Sequence, residues 1–253
     1  MLTAISIIVG ALIGSFLNVC IARLPKEESI VFPGSHCPRC GHPIRGYDNI
    51  PIISYLVLKG KCRDCGASIS IQYPLVEGIT AVGSFLLFLR FGLSVAYLIY
   101  FAFLCSLIVI TVIDLYHQII PDVISLPGIG VGLLASLVLP GITFWNSLVG
   151  VLLGGGSLFI VATVYQWLFK REGMGGGDVK LLAMIGAFLG WKVVILTILL
   201  SSLIGSVVGI VMIVVKGKDF KYAIPFGPFL AAGAVISLGW GGQIIGWYLN
   251  LNR

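Results

Sequence analysis

The chain has 253 residues, of which 58% are apolar and only 10% charged, and its mean hydropathy is +1.07. That composition excludes a soluble globular domain and predicts an all-α polytopic membrane protein. The net charge of +6 calls for no nucleic acid as a partner, because basic loops facing anionic membrane lipids account for it.

Apolar runs near the length of a membrane crossing fall at roughly 2–20, 75–93, 95–114, 121–140, 146–169, 179–191, 193–215 and 227–249. They predict about eight transmembrane helices, the sixth short or irregular. The first run has no basic segment before it, and Asn18-Val19-Cys20 carries no small-x-small cleavage site, so it reads as a membrane helix over 1–21 and not as a cleaved leader. Lys and Arg placement sets the orientation. With the N-terminus outside, Arg23, Lys26, Arg39, Arg45, Lys59, Lys61, Arg63, Lys170, Arg171, Lys180, Lys216, Lys218 and Lys221 fall inside, and only Arg90, Lys192 and Arg253 fall outside.

The first helix contains Gly14-Ser15-Phe16-Leu17-Asn18, which suits close packing through small residues, with Asn18 near the interface and Arg23 reaching headgroups. The polar segment 22–74 follows. It carries Cys37-Pro38-Arg39-Cys40-Gly41 and Cys62-Arg63-Asp64-Cys65-Gly66, two CxxC pairs separated by 21 residues. A two-residue gap lets both sulfurs of a pair reach one ion, and a glycine after each pair suits a turn that points N–H groups at sulfur. Disulfides are the alternative, but a cytoplasmic loop is kept reduced, which favours zinc on Cys37, Cys40, Cys62 and Cys65. Four thiolates leave no open position, so the zinc is structural, and Arg39, Arg45, Lys61 and Arg63 offset its charge. His36 and His42 read as solvated loop residues. Cys20 and Cys105 read as small buried hydrophobes.

Tyr73-Pro74-Leu75-Val76-Glu77 opens the second helix and puts Glu77 in its first turn. The helix dipole favours a carboxylate there, and a site shared between loop and membrane would use one equally. Asp114, in Ile113-Asp114-Leu115 at the end of the third helix, opposes the macrodipole among apolar neighbours. It demands a partner, a proton or water. Asp122, after Pro121, reads as a cap, and His117 as a solvated loop residue. Gly154-Gly155-Gly156 reads as a packing face of the fifth helix.

Gly173-Met174-Gly175-Gly176-Gly177-Asp178-Val179-Lys180 then forms a glycine-rich loop ending in a carboxylate. The spacing fits neither a phosphate loop, which needs Lys beside Ser or Thr, nor a dinucleotide loop. Its glycines permit positive φ and close approach of a backbone. Asp178 serves equally as an N-cap or as a catalyst. Lys180 either snorkels to headgroups or lowers the pKa of a carboxylate. The orientation puts Asp114 and Asp178 at one membrane edge. Such a pair can hydrolyse an amide: one carboxylate takes a proton from water, while the other, kept protonated by its neighbour's charge, protonates the leaving amine.

These features resemble the bacterial type IV prepilin peptidases. The resemblance is carried in order by Gly14 to Val19, the paired CxxC loop, Tyr73 to Glu77, Asp114 before Ile120-Pro121-Asp122, and Gly-x-Gly-Asp at Gly175 to Asp178. Gly-x-Gly-Asp by itself is shared with presenilin-like intramembrane proteases, and the cysteine loop separates the two. The resemblance implies a bacterial inner-membrane enzyme with two activities. One cleaves basic leaders from type IV prepilins and pseudopilins at the cytoplasmic face. The other methylates the new N-terminal residue with S-adenosylmethionine. It implies Asp114 and Asp178 as the catalytic pair, supported by Gly175, Gly177 and Lys180. The methyltransferase part would use the cytoplasmic four-cysteine zinc loop (22–74) and Glu77, and the peptidase core would be 75–253. The alternatives are a presenilin-like protease without methyl transfer and a transporter that uses membrane carboxylates; no inverted hydropathy repeat supports the second.

Overall fold

A computed structural model of the chain describes residues 1–170, 175–216 and 224–250. Gly173 and Met174 of the glycine loop, and Arg171, Lys218, Lys221 and Arg253 of the charge pattern, lie outside the described residues. The described residues form nine α-helices and no strand: α1 (Leu2–Arg23), α2 (Ile53–Val57), α3 (Gln72–Phe91), α4 (Val95–His117), α5 (Asp122–Ala135), α6 (Phe144–Phe169), α7 (Gly176–Leu189), α8 (Trp191–Lys216) and α9 (Gly227–Asn250).

Eight of these follow the eight apolar runs, and α2 is a single turn within the polar loop. Six are long and apolar enough to cross a membrane. The two exceptions, α5 and α7, have 14 residues each, about 21 Å at 1.5 Å per residue against a hydrocarbon core of about 30 Å. Among the described residues, then, six helices are long enough to cross and two of the eight are short, α7, on the sixth apolar run, being the one expected to be short or irregular. For α5 the apolar run continues past the helix: Ser136 is still in the helical region, turn-like hydrogen bonds run on to Leu139, and the chain then turns through Gly141 at φ +84.

The chain divides into two compact units, Met1–Val109 and Ile110–Arg253, with the boundary inside α4. In the first unit α1 lies against α3 through glycine. A Cβ added at Gly10 would stand 2.7 Å from Ala81 Cα, and one at Gly14 would stand 2.7 Å from Glu77 Cα. The small-residue packing read from Gly14 is thus present, and Ser84 Oγ adds a 2.7 Å bond to the Ser6 carbonyl. The polar loop between the two helices has little regular structure: two 3-10 turns, α2 and two isolated bridges.

In the second unit α7 is the centre, with every residue from Leu181 to Leu189 buried. Helix α6 packs on it where glycines let backbones meet: Gly150 against Gly186, and Gly154 where an added Cβ would stand 2.5 Å from the Leu182 carbonyl oxygen. Of the triplet expected to form that face, Gly154 and Gly155 do so, while nothing lies within 4 Å of a Cβ at Gly156. Helices α8 and α9 are joined by Ser201 Oγ, which donates to the Phe229 carbonyl at 3.0 Å.

Candidate active site and metal centre

Asp114 sits one turn from the end of α4 with only 5% of its surface exposed. The compensation its sequence position demands comes from the first residue of α9. The Gly227 N–H donates to Asp114 Oδ2 at 3.0 Å, so the carboxylate faces the positive end of a helix dipole. Nothing in the sequence joins positions 114 and 227, and this partner escapes sequence reasoning. The fit is close: a Cβ at Gly227 would lie 2.6 Å from Asp114 Oδ2.

Asp178 occupies the third position of α7. The N-cap is Gly175, and no side chain caps the helix, which removes the capping reading of Asp178. Gly175 has φ −71, and no glycine of 175–177 is among those with positive φ. The positive φ expected of the loop is therefore not adopted at these positions. Close approach holds at Gly177 alone, where an added Cβ would stand 2.9 Å from Ile120 Cβ. A Cβ at Gly227 would stand 3.4 Å from the Cδ1 of the same isoleucine. Ile120 is thus a wedge between the start of α7 and the start of α9. Burial pushes the Asp178 carboxyl up to about 7, and the nearby charge of Asp114 acts in the same direction.

Lys180 pairs with a carboxylate of α5. Its Nζ donates to both oxygens of Asp122 at 2.7 and 2.8 Å, and Asp122 makes this pair instead of capping α5, whose N-cap is Pro121. Both side chains are well exposed, at 37% and 56%, so the pair contributes at most about 1 kcal/mol. Asp122→Asn should lower the thermal midpoint by no more than a few degrees. A loss comparable to a core cavity would show that the pair holds more than its exposed geometry allows. His117 is exposed at the end of α4.

The cysteine pairs form two like turns. The Cys37 N–H donates to the His42 carbonyl and the Gly41 N–H to the Cys37 carbonyl, both at 2.9 Å; Cys62 with Ala67, and Gly66 with Cys62, repeat the pattern at 2.8 and 3.0 Å. Gly41 and Gly66 close the turns at φ +71 and +69, in the left-handed region that glycine enters freely. The four sulfurs lie within 4.8 Å of one another, so this cluster could hold a metal ion. Cys37 and Cys65 Sγ stand 3.8 Å apart, about the edge of a tetrahedron with metal–sulfur bonds of about 2.3 Å. The Cys40 and Arg39 N–H groups hold the Cys37 thiol down at about 6, towards the thiolate that metal binding requires. Two cations expected to offset the metal charge are engaged elsewhere. Arg63 makes a bidentate pair with Asp48 at 2.8 and 2.6 Å, which holds the Asp48 carboxyl below its usual range. Arg45 donates to Tyr47 Oη at 2.6 Å.

Glu77 lies beyond the first turn of α3, which begins at Gln72 and has no acidic residue there. Its carboxylate is buried and accepts the Ile52 N–H at 2.7 Å and a bond from Ser15. It therefore joins α1, α3 and the polar loop, as a residue shared between loop and membrane helices would.

Two family descriptions match successive parts of the chain: the bacterial peptidase A24 N-terminal domain over residues 8–91 and the type IV leader peptidase family over residues 101–210. A Pseudomonas aeruginosa prepilin leader peptidase/N-methyltransferase is 40% identical over 97% of this chain and 92% of its own length. The chain belongs to the type IV leader peptidase family. A Pseudomonas putida protein of the same name is 39% identical over 94% of this chain and 90% of its own. One from Xanthomonas campestris is 38% identical over 95% and 92%. No solved structure matches. With six helices able to cross a membrane, this family member is a multi-pass membrane protein.

Proposed function

We propose that the chain is a prepilin leader peptidase and N-methyltransferase of the bacterial inner membrane. Its substrates are type IV prepilins or pseudopilins, and its leader-cleaving site opens at the cytoplasmic face. The N-terminus lies outside, in keeping with the distribution of Lys and Arg. The functional division is a first helix (1–21), a four-cysteine loop serving methyl transfer (22–74) and a helical peptidase core (75–253). The observation that carries the peptidase reading is the buried Asp114 held on the Gly227 N–H while its charge acts on Asp178.

In this reading Asp114, supported by the positive end of α9, takes a proton from water. The oxygen of that water attacks the scissile carbonyl carbon. Asp178, protonated near neutral pH, stabilises the developing oxyanion and gives its proton to the leaving amine as the C–N bond breaks. Gly177 and Ile120 keep the start of α7 close to Asp114, and Gly175 leaves the approach free of side chains for an extended substrate. Lys180 acts only through its bond to Asp122.

The proton on Asp178 fixes the pH dependence. Its pKa is raised, so the competent form is present below about 7 and is lost as pH rises through that value. Leader cleavage, measured as kcat/KM in liposomes, should fall on the alkaline side by about tenfold per pH unit. A flat profile from about pH 6 to 9 would remove Asp178 as the acid.

Cys37, Cys40, Cys62 and Cys65 would hold zinc, which organises a loop with few apolar residues of its own. S-adenosylmethionine, when bound, supplies the methyl group, and Glu77 belongs to the region that receives it. The test of the whole reading is incubation of a purified prepilin with the chain in liposomes, with and without the methyl donor. Cleavage should need no donor, and methylation should need both.

A further inference from the structure

The polar loop of the first unit returns to the membrane helices that it joins. Helix α3 has 20 residues, about 30 Å at 1.5 Å per residue, so it crosses a hydrocarbon core of about 30 Å only by using nearly its whole length. Glu77 stands five residues past Gln72, the first of that helix, about 7 Å from its start. The Ile52 N–H donates to the Glu77 carboxylate at 2.7 Å, which brings the chain just ahead of α2 to the depth of the first turns of α3. A second segment returns along α1: Ile30, Val31 and Pro33 wall a groove of about 300 Å³ with Leu12, Phe16 and Val19. Arg23 secures that return, its guanidinium donating to the carbonyls of Ser29 at 2.8 Å and Pro33 at 2.6 Å.

What these two segments expose is apolar. Helix α2 is inside out for a turn in water: Ser54 is its buried residue, with Oγ donating to the Tyr47 carbonyl at 3.1 Å, while Ile53, Leu56 and Val57 are 59%, 67% and 68% exposed. In the other segment Val31 and Phe32 are 67% and 76% exposed. Aliphatic side chains gathered on one short turn mark a surface for an apolar partner. Lys59 and Lys61, both exposed, follow α2 directly and form the cationic flank that headgroup phosphates attract. The bilayer that α1 and α3 cross is the apolar phase at the depth where α2 begins.

We propose that α2, together with the segment 30–32 beside α1, is seated in the membrane interface, with Ile53, Leu56 and Val57 among the acyl chains and Lys59 and Lys61 at anionic headgroups. The loop is thereby anchored at a fixed depth. Two bonds pass that depth on to the cysteines: the Gly60 N–H donates to the Tyr55 carbonyl at 2.9 Å and the Ile69 N–H to the Gly60 carbonyl at 2.7 Å, which joins α2 to the turn that carries Cys62 and Cys65. The four-cysteine cluster is then held at the membrane surface. The inference rests on α1 and α3 crossing the membrane and on neither enzymatic activity.

The test uses the full chain, without substrate, in liposomes of mixed zwitterionic and anionic phospholipid. A benzophenone amino acid in place of Leu56 or Val57, both exposed, disturbs no core. On irradiation it should add the mass of one phospholipid to the intact chain, the anionic lipid being enriched in the adduct over its share of the mixture. The same group in place of Asp64, on the exposed part of the second cysteine turn, should capture none. A carbene reagent confined to the bilayer, applied to the unaltered chain, should label residues 53–57 several-fold more than residues 61–68, a readout that does not depend on how a variant folds. Crosslinks that join two copies of the chain in place of lipid, or labelling of 53–57 by a water-soluble carbene alone, would overturn the anchor.

Discussion

Asp178→Asn is expected to abolish leader cleavage, lowering kcat/KM by about 10²–10⁴-fold or more, the range for losing a positioned acid or base. Asp114→Asn should do the same. Asn keeps the shape of Asp, so the Gly227 N–H can still donate to the oxygen at position 114 and neither helix end needs to move. The loss should therefore come without a large drop in thermal stability, and a substrate already cleaved should still be methylated. Gly227→Ala reaches the same site from the other side. Its new Cβ would stand 2.6 Å from Asp114 Oδ2, so cleavage should suffer even though the substituted residue carries no chemistry. If either Asn variant, shown to be folded, keeps near-normal turnover, the pair is not the catalytic machinery.

Cys37→Ser should have the second large effect and spare what the aspartates do. Removing one of four thiolates takes away a ligand that a tetrahedral metal needs, and the loop has little regular structure to hold itself together without it. Metal content by atomic emission should fall to background, and methyl transfer should fall with it. Cleavage should stay within a few-fold of wild type, because Asp114, Gly227, Ile120 and Asp178 all lie in the second compact unit. A metal-free variant that methylates normally would separate the loop from the methyl-transfer reaction.

The chemistry-bearing residues are legible in the sequence, and most of their partners are not. Asp114 stands out because a charge among Ile113 and Leu115 at a helix C-terminus has no local explanation. Its partner Gly227 is 113 residues away and is a backbone amide, which no side-chain pattern announces. The cysteines declare themselves because their chemistry dictates their spacing. Lys180 reads as a headgroup anchor or as a charge beside a carboxylate, and no sequence signal picks out the carboxylate the fold gives it, Asp122. Apolar runs mark where helices lie but not always how long they are: α5 ends at Ala135 although its apolar run goes on, while α7 is as short as the run that marks it. The glycine loop reads as a demand for backbone freedom, yet the need at Gly177 is room for Ile120. Glu77 reads as closer to its helix start than it is, because α3 begins at Gln72, ahead of the apolar run that marks it.

The central claim is that a carboxylate pair in one unit cleaves the leader while a separate site in the other methylates the product. Intact-mass spectrometry of one prepilin after incubation with the donor and each of three proteins tests it most directly. The wild type should yield a chain lacking its leader and heavier by one methyl group. Asp178→Asn should leave the precursor untouched, and Cys37→Ser should yield the cleaved chain without the methyl group. A cleaved product from folded Asp178→Asn, or uncleaved precursor from Cys37→Ser, would contradict the account.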